Sequence, residues 1–194
     1  MVDLEQLKKL REETAVSLAD CRKALDKAKG DTEKAKEILR EMGKDLANKR
    51  VEKETKSGLV HCYLHPNEKM GVLIEVRCET DFVAKSEGFN DLVHELCLQI
   101  AAMKPLYVSE EDIPQEVLDK EKEIYKEQFK DSKKPENLMG NIIDGKVKKY
   151  KEEAVLMLQP WIKDNAKTIN DLFNEFVSKV GENIKVKKFT RYEI

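Results

Sequence analysis

The chain has 194 residues, room for one domain with an appendage or for two small ones. Charged residues make up 38% of it, yet 36 Lys and Arg stand against 38 Asp and Glu, for a net charge of −2. That balance excludes a polybasic nucleic-acid binder, which needs surplus positive charge to neutralise phosphates. Apolar residues reach 40% and fall in periodic patterns, which excludes a disordered acidic chain.

No apolar run approaches the roughly 18 residues that span a bilayer. The opening MVDLEQLKKLREE lacks the apolar stretch of a secretory signal. Cys21, Cys62, Cys78 and Cys97 are widely spaced in apolar-patterned segments. They read as reduced, buried thiols of a cytoplasmic protein that meets neither membrane nor nucleic acid. Residues 1–54 hold 14 basic and 13 acidic side chains and residues 56–108 only 5 and 7, so the middle is the expected centre of the core.

In chain order, residues 1–50 read as three short helices. Asp3 is a plausible N-cap for a helix carrying Leu4, Leu7 and Leu10. Ser17 or Thr14 caps a second, with Leu18, Cys21, Ala24, Leu25 and Ala28. Gly30 ends it, and Asp31 caps a third that Gly43 closes. The charged stretch 44–56 reads as a linker, partly helical. The expected organisation is an N-terminal three-helix module and linker over 1–54 and a core domain over 55–194.

At residue 58 the period changes from 3.6 to 2. Val60, Cys62 and Leu64 alternate with Leu59, His61 and Tyr63. A turn at 65–69 leads to Val72, Ile74, Val76 and Cys78 on one face of a second strand, making a hairpin. A helix from about Gly88 to Met103 is stopped by Pro105. Ser109 to about Lys130 reads as a long charged helix, Asp131–Glu136 as a turn, and Pro135 to about Lys151 as a second helix. The seams of this helical hairpin at about 109–151 are narrow: Val117, Ile124 and Tyr125 against Leu138, Ile142 and Tyr150, with Ile113, Leu118, Phe129 and Ile143 off the seam. A helix around Ile169–Val180 ends at Gly181, and Ile184–Ile194 reads as a last strand. The fold class is α+β: a small antiparallel sheet packed on helices, with the helical hairpin inserted.

Chemistry-bearing patterns are sparse. There is no phosphate loop, no GxSxG and no HExxH. His61, Cys62, His65 and Cys78 are the side chains that could ligate zinc, but His61 and Cys62 are strand neighbours and point opposite ways. The balance of the reading is core cysteines and surface histidines, with no metal and no cofactor. His94 has no nucleophile or carboxylate pattern that would make a triad.

Thr80-Asp81-Phe82-Val83 lies at a strand-to-helix junction and supports two readings. In one, Thr80 or Asp81 caps a short turn and Phe82 packs inward. In the other, the turn projects a carboxylate and an aromatic wedge toward a partner.

Glu79-Thr80-Asp81-Phe82-Val83-Ala84-Lys85 closely resembles the most characteristic motif of the elongation factor Ts family, the bacterial and organellar nucleotide exchange factors for elongation factor Tu (EF-Tu). Leu7–Thr14, Asp20-Cys21-Arg22-Lys23-Ala24-Leu25 and Gly30-Asp31 are similar to that family's N-terminal module, a three-helix bundle of the ubiquitin-associated type. Ile100–Pro105 and Phe189–Glu193 match family patterns as well, so the resemblance covers essentially the whole chain.

The resemblance implies a protein that is not an enzyme, with EF-Tu as partner. It implies that Thr80, Asp81, Phe82 and Val83 act on the Mg²⁺-associated region of the G domain and that Leu10, Leu18 and Ala19 contact it through the N-terminal module. Short family members resemble a homodimeric arrangement, which implies a homodimer here. An adaptor without exchange activity is the alternative that periodicity leaves open.

Overall fold

A computed structural model describes residues 3–128 and 136–194, with side chains from residue 139 onward in the second stretch. The helices are α1 (Leu4–Thr14), α2 (Leu18–Lys27), α3 (Thr32–Arg50), α4 (Asp81–Ala84), α5 (Glu87–Met103), α6 (Gln115–Gln128), α7 (Glu136–Ala154) and α8 (Ile169–Val180). The strands are β1 (Ser57–Leu64), β2 (Met70–Cys78), β3 (Pro160–Trp161), β4 (Asp164–Thr168) and β5 (Ile184–Glu193). The fold is α+β. A three-stranded antiparallel sheet runs in the order β1-β2-β5, and β3 and β4 form a separate two-stranded ribbon.

The chain divides into two compact units. One comprises Met1–Val60, Glu75–Val93 and Asn170–Val186; the other comprises His61–Ile74, His94–Ile169 and Lys187–Ile194.

In the first unit the N-terminal helices start where local chemistry says they should. Asp3 accepts from the Glu5 amide at 3.2 Å, Ser17 from the Asp20 amide at 3.2 Å, and Asp31 from the amides of Glu33 and Lys34 at 3.1 and 3.2 Å. Each cap satisfies donors that a helix start would otherwise leave open. Leu7, Leu10, Val16, Cys21, Ala24, Leu25, Ala28, Ala35 and Leu39 form one apolar cluster.

Gly43 does not close α3, which continues to Arg50. It lies where α3 crosses α8: a Cβ there would stand 3.1 Å from the Asn174 carbonyl oxygen and 3.2 Å from Ser178 Cβ. The glycine therefore lets two backbones approach, and the expectation of a helix stop confused that use with a C-cap.

The hairpin β1-β2 is present, but the face of β1 is the reverse of the expected one. The His65 amide donates to Met70 O at 2.9 Å. With 65 opposite 70, position 62 falls opposite 73, on the side away from Val72, Ile74, Val76 and Cys78. Cys62 is accordingly exposed, the other three cysteines are buried, and His61 is half-buried. The expected core cysteine and surface histidine change places at these two positions.

In the second unit the helical hairpin is present with differences. No helix runs from Ser109: the Asp112 carboxylate takes the Ser109 amide and hydroxyl at 2.8 and 3.0 Å around a 3₁₀ turn, Glu110–Asp112. Pro114 then holds Ile113 extended, and α6 starts at Gln115. Ile113, Ile143 and Val147 are buried while Ile124 is 45% exposed, so the seam is not the expected one. Phe129, the side chain of Leu138 and the expected turn at Asp131–Glu136, Glu136 itself apart, lie outside the described residues.

The β3-β4 ribbon is an element the sequence did not announce. It is held by a buried amide pair: Gln99 donates to Gln159 Oε1 and to Pro160 O, both at 3.1 Å, and accepts from the Ile162 amide at 3.0 Å. Such a network is tolerated in a core because its members are satisfied.

Candidate functional site

The best-formed candidate site belongs to the first unit and is a projecting turn. A four-residue helix cannot sustain itself in isolation, because nucleation costs more than one turn of hydrogen bonds returns. α4 persists because it is pinned on several sides. Thr80 is its N-cap and accepts from the Val83 amide at 3.4 Å. Val83 and Ala84 are buried and fasten the helix from below. Ser86 donates to Val83 O at 2.8 Å and accepts from the Phe89 amide at 3.3 Å, which joins the turn to α5. The Cys78 thiol donates to Thr80 O at 3.2 Å, and burial pushes that thiol up to about 11, so it stays protonated at neutral pH.

Phe82 is 86% exposed, and Asp81 beside it is exposed too. An inward-packing Phe82 is excluded: α4 buries Val83 and Ala84 and turns Phe82 outward. Exposing an aromatic of this size forgoes about 2–3 kcal/mol of burial. Its neighbour Asp81 keeps a carboxylate on the same projecting edge.

Two further pins come from the segment after α8. Gly181, at φ +69°, ends that helix in the left-handed conformation that L side chains rarely adopt, and its amide bonds Val177 O at 2.8 Å. The next residue, Glu182, accepts from the Thr80 amide at 3.0 Å and from the Thr80 hydroxyl at 2.6 Å. Asn183 donates its amide to Glu79 Oε1 at 2.6 Å, and Arg50 reaches the same oxygen at 3.0 Å. The Asn183 amide, then the Arg50 guanidinium, holds the Glu79 carboxyl below the ordinary 4.5 against opposing burial.

Glu182, Asn183, Glu79 and Arg50 were not singled out in the sequence. Glu79 was visible only as the first letter of the motif, and Glu182 carries no local signal because its partner lies 102 residues away.

At the N-terminal end the structure separates the three expected contact residues. Leu18 is 44% exposed and Ala19 is exposed. Leu10 is fully buried in the bundle core and offers no surface to a partner. Its spacing with Leu7 had already placed it on the apolar face, and that face is turned inward. The exposed edge here is therefore Leu18 and Ala19, presented at the start of α2.

The zinc constellation is not assembled. Cys62 faces away from His61, and Cys78 is buried beneath Thr80. Among the described residues, no three or more His, Cys, Asp or Glu side chains converge as a metal set. His61 instead meets His94, Nε2 to Nδ1 at 3.4 Å, and burial followed by that neighbour lowers the His61 pKa. No helix among the described residues is long and apolar enough to cross a membrane.

These features define an α+β protein whose best-formed site is a protruding edge with an aromatic tip. The family model described as Elongation factor TS matches residues 5–194. The elongation factor Ts of Thermotoga maritima is 51% identical over 193 residues, covering 100% of this chain and 96% of that protein. That of Moorella thermoacetica is 50% identical over 194 residues, with 100% and 96% covered. That of Coprothermobacter proteolyticus is 45% identical over 188 residues, with 97% and 95% covered. The chain belongs to the elongation factor Ts family, which makes it a factor of translation elongation and implies EF-Tu as its partner.

Proposed function

We propose that this protein is the nucleotide exchange factor for EF-Tu: it binds EF-Tu·GDP in the cytoplasm and speeds GDP release, with no covalent chemistry of its own. The logic is linkage. A protein that binds the nucleotide-free partner more tightly than the GDP-bound one weakens GDP binding by the same factor. Phe82 is the wedge. It enters the G domain beside the phosphate site, while Asp81 perturbs the surroundings of the partner's Mg²⁺, so the ion is displaced and the phosphate hold loosens. Thr80 and Val83 shape the turn, and Leu18 and Ala19 add a second contact through the module of residues 1–54.

The observation that carries this reading is the 86% exposure of Phe82 on a turn clamped from several sides. An ordered, solvent-facing aromatic is the kind of residue that anchors an interface. Release of a fluorescent GDP analogue from EF-Tu, with and without this protein, tests the reading. An acceleration that saturates with added factor supports it; an unchanged rate refutes it and leaves the adaptor reading.

The same proposal includes a homodimer. The outer side of the sheet exposes Cys62, Leu64 (65%), Leu73 (50%) and Tyr192 (74%) together in the second unit. A second copy related by a two-fold axis would cover that apolar face with its own. Sedimentation equilibrium checks it: a mass near twice 22.4 kDa is expected, lowered by Leu73→Asp. A mass of one chain across a tenfold concentration range contradicts it.

A further inference from the structure

The geometry points to Glu182 as the positioning residue of the exchange wedge, an assignment that rests on the reading of Phe82 given above. α4 has four residues and its N-cap is Thr80. A threonine hydroxyl is a free rotor, and it caps only when a lone pair faces the helix amides. Glu182 removes that freedom. Its Oε1 takes the hydroxyl proton at 2.6 Å, which leaves an oxygen lone pair for the Val83 amide at 3.4 Å. Its Oε2 takes the Thr80 amide at 3.0 Å, so one carboxylate fixes both the backbone and the side chain of the cap. Bonds to an ionised acceptor are shorter and stronger than neutral ones, and two from one residue set an orientation as well as a distance.

Glu182 is itself fixed. Gly181 turns the chain at φ +69°, and Asn183 is tied on both sides, by its amide to Glu79 and by its side chain to Lys53 O at 2.8 Å and Val51 O at 3.3 Å. The direction in which Phe82 leaves the surface is thus set by a loop 102 residues further along the chain. A wedge that must enter a partner without reorganising gains from being ordered beforehand, because the entropy of ordering is spent at folding.

The test uses the full chain with EF-Tu and a fluorescent GDP analogue. Glu182→Ala is expected to lower the maximal exchange rate about tenfold while leaving the half-saturating factor concentration within about twofold, because Leu18 and Ala19 are untouched. Glu182→Gln, which keeps one acceptor oxygen for the Thr80 amide, is expected to recover part of the loss. Thr80→Val combined with Glu182→Ala should cost little more than either alone. A ¹⁹F label on the Phe82 ring should relax with the folded body in the parent protein and show faster local motion in Glu182→Ala, at a melting temperature changed by only a few degrees.

If Glu182→Ala exchanges at the parent rate while Phe82→Ala does not, the positioning role is wrong and the wedge stands. If Phe82→Ala also exchanges at the parent rate, the wedge reading fails and this inference falls with it.

Discussion

The first unit carries two exposed edges: the turn at 80–83 and the loop at 15–17 with the start of α2. The loop is held by its neighbours in sequence. Thr14 donates to Leu10 O at 2.7 Å, and Ser17 and Asp20 exchange bonds of 3.2 and 2.7 Å. The turn is held from far away, by Glu182 and Asn183 after α8 and by Arg50 at the end of α3. Local caps can be read from a sequence and are individually cheap to lose. Distant pins are invisible in a sequence, and they give a four-residue helix an orientation it could not hold alone.

The largest expected effect lies at Leu10. If the N-terminal edge works by surface contact alone, Leu10→Ala should matter only for binding. Its full burial predicts instead a loss of about 3 kcal/mol in stability, within the usual range for emptying a core leucine site. Thermal or urea unfolding checks this, and an unchanged midpoint would place Leu10 at the surface.

A smaller effect sharpens the distant side. Glu79→Gln should cost about 1–2 kcal/mol at pH 7, the scale of a hydrogen bond to a charged group. Because the folded pKa of Glu79 is lowered, its contribution is present above the ordinary carboxyl pKa and fades as pH falls through the folded value. The gap between parent and variant should therefore close in acid. Urea midpoints measured from pH 7 down to pH 3 decide it, and a gap that widens in acid would contradict the assignment.

The smallest effect lies on the local side. Ser17→Ala removes one N-cap and should cost about 1 kcal/mol. The loss should appear in hydrogen exchange of the first amides of α2, with those of α4 unchanged. Faster exchange in both would mean the two edges are coupled.

The same division explains what the sequence made legible. The starts of α1, α2 and α3 were readable because Asp3, Ser17 and Asp31 act within three residues of themselves. Thr80–Val83 was readable as a junction, but its outward Phe82 was not separable from an inward one until Val83 and Ala84 were seen to fill the buried side. The face of β1 was misread because Val60-Cys62-Leu64 is uniformly apolar and Leu59-His61-Tyr63 is interrupted by a histidine, yet the uniformly apolar set is the exposed one. The register that chooses between them is fixed by the turn at 65–70. Gly43 was misread because close approach to α8 leaves no trace in neighbouring residues. The β3-β4 ribbon escaped because Asp164–Thr168 has no apolar alternation, and its anchor is Gln99 on α5.

On the proposed reading Phe82 is a solvent-facing wedge and no part of the core. The most direct test is Phe82→Ala, measured in two ways on the same preparation: GDP release from EF-Tu at saturating factor, and thermal unfolding. Stimulated release is expected to fall about thirtyfold, the loss of an interface anchor worth roughly 2 kcal/mol, while the melting temperature stays within a few degrees of the parent. Parent-level exchange, or a core-sized loss of about 3–5 kcal/mol in stability, would contradict it.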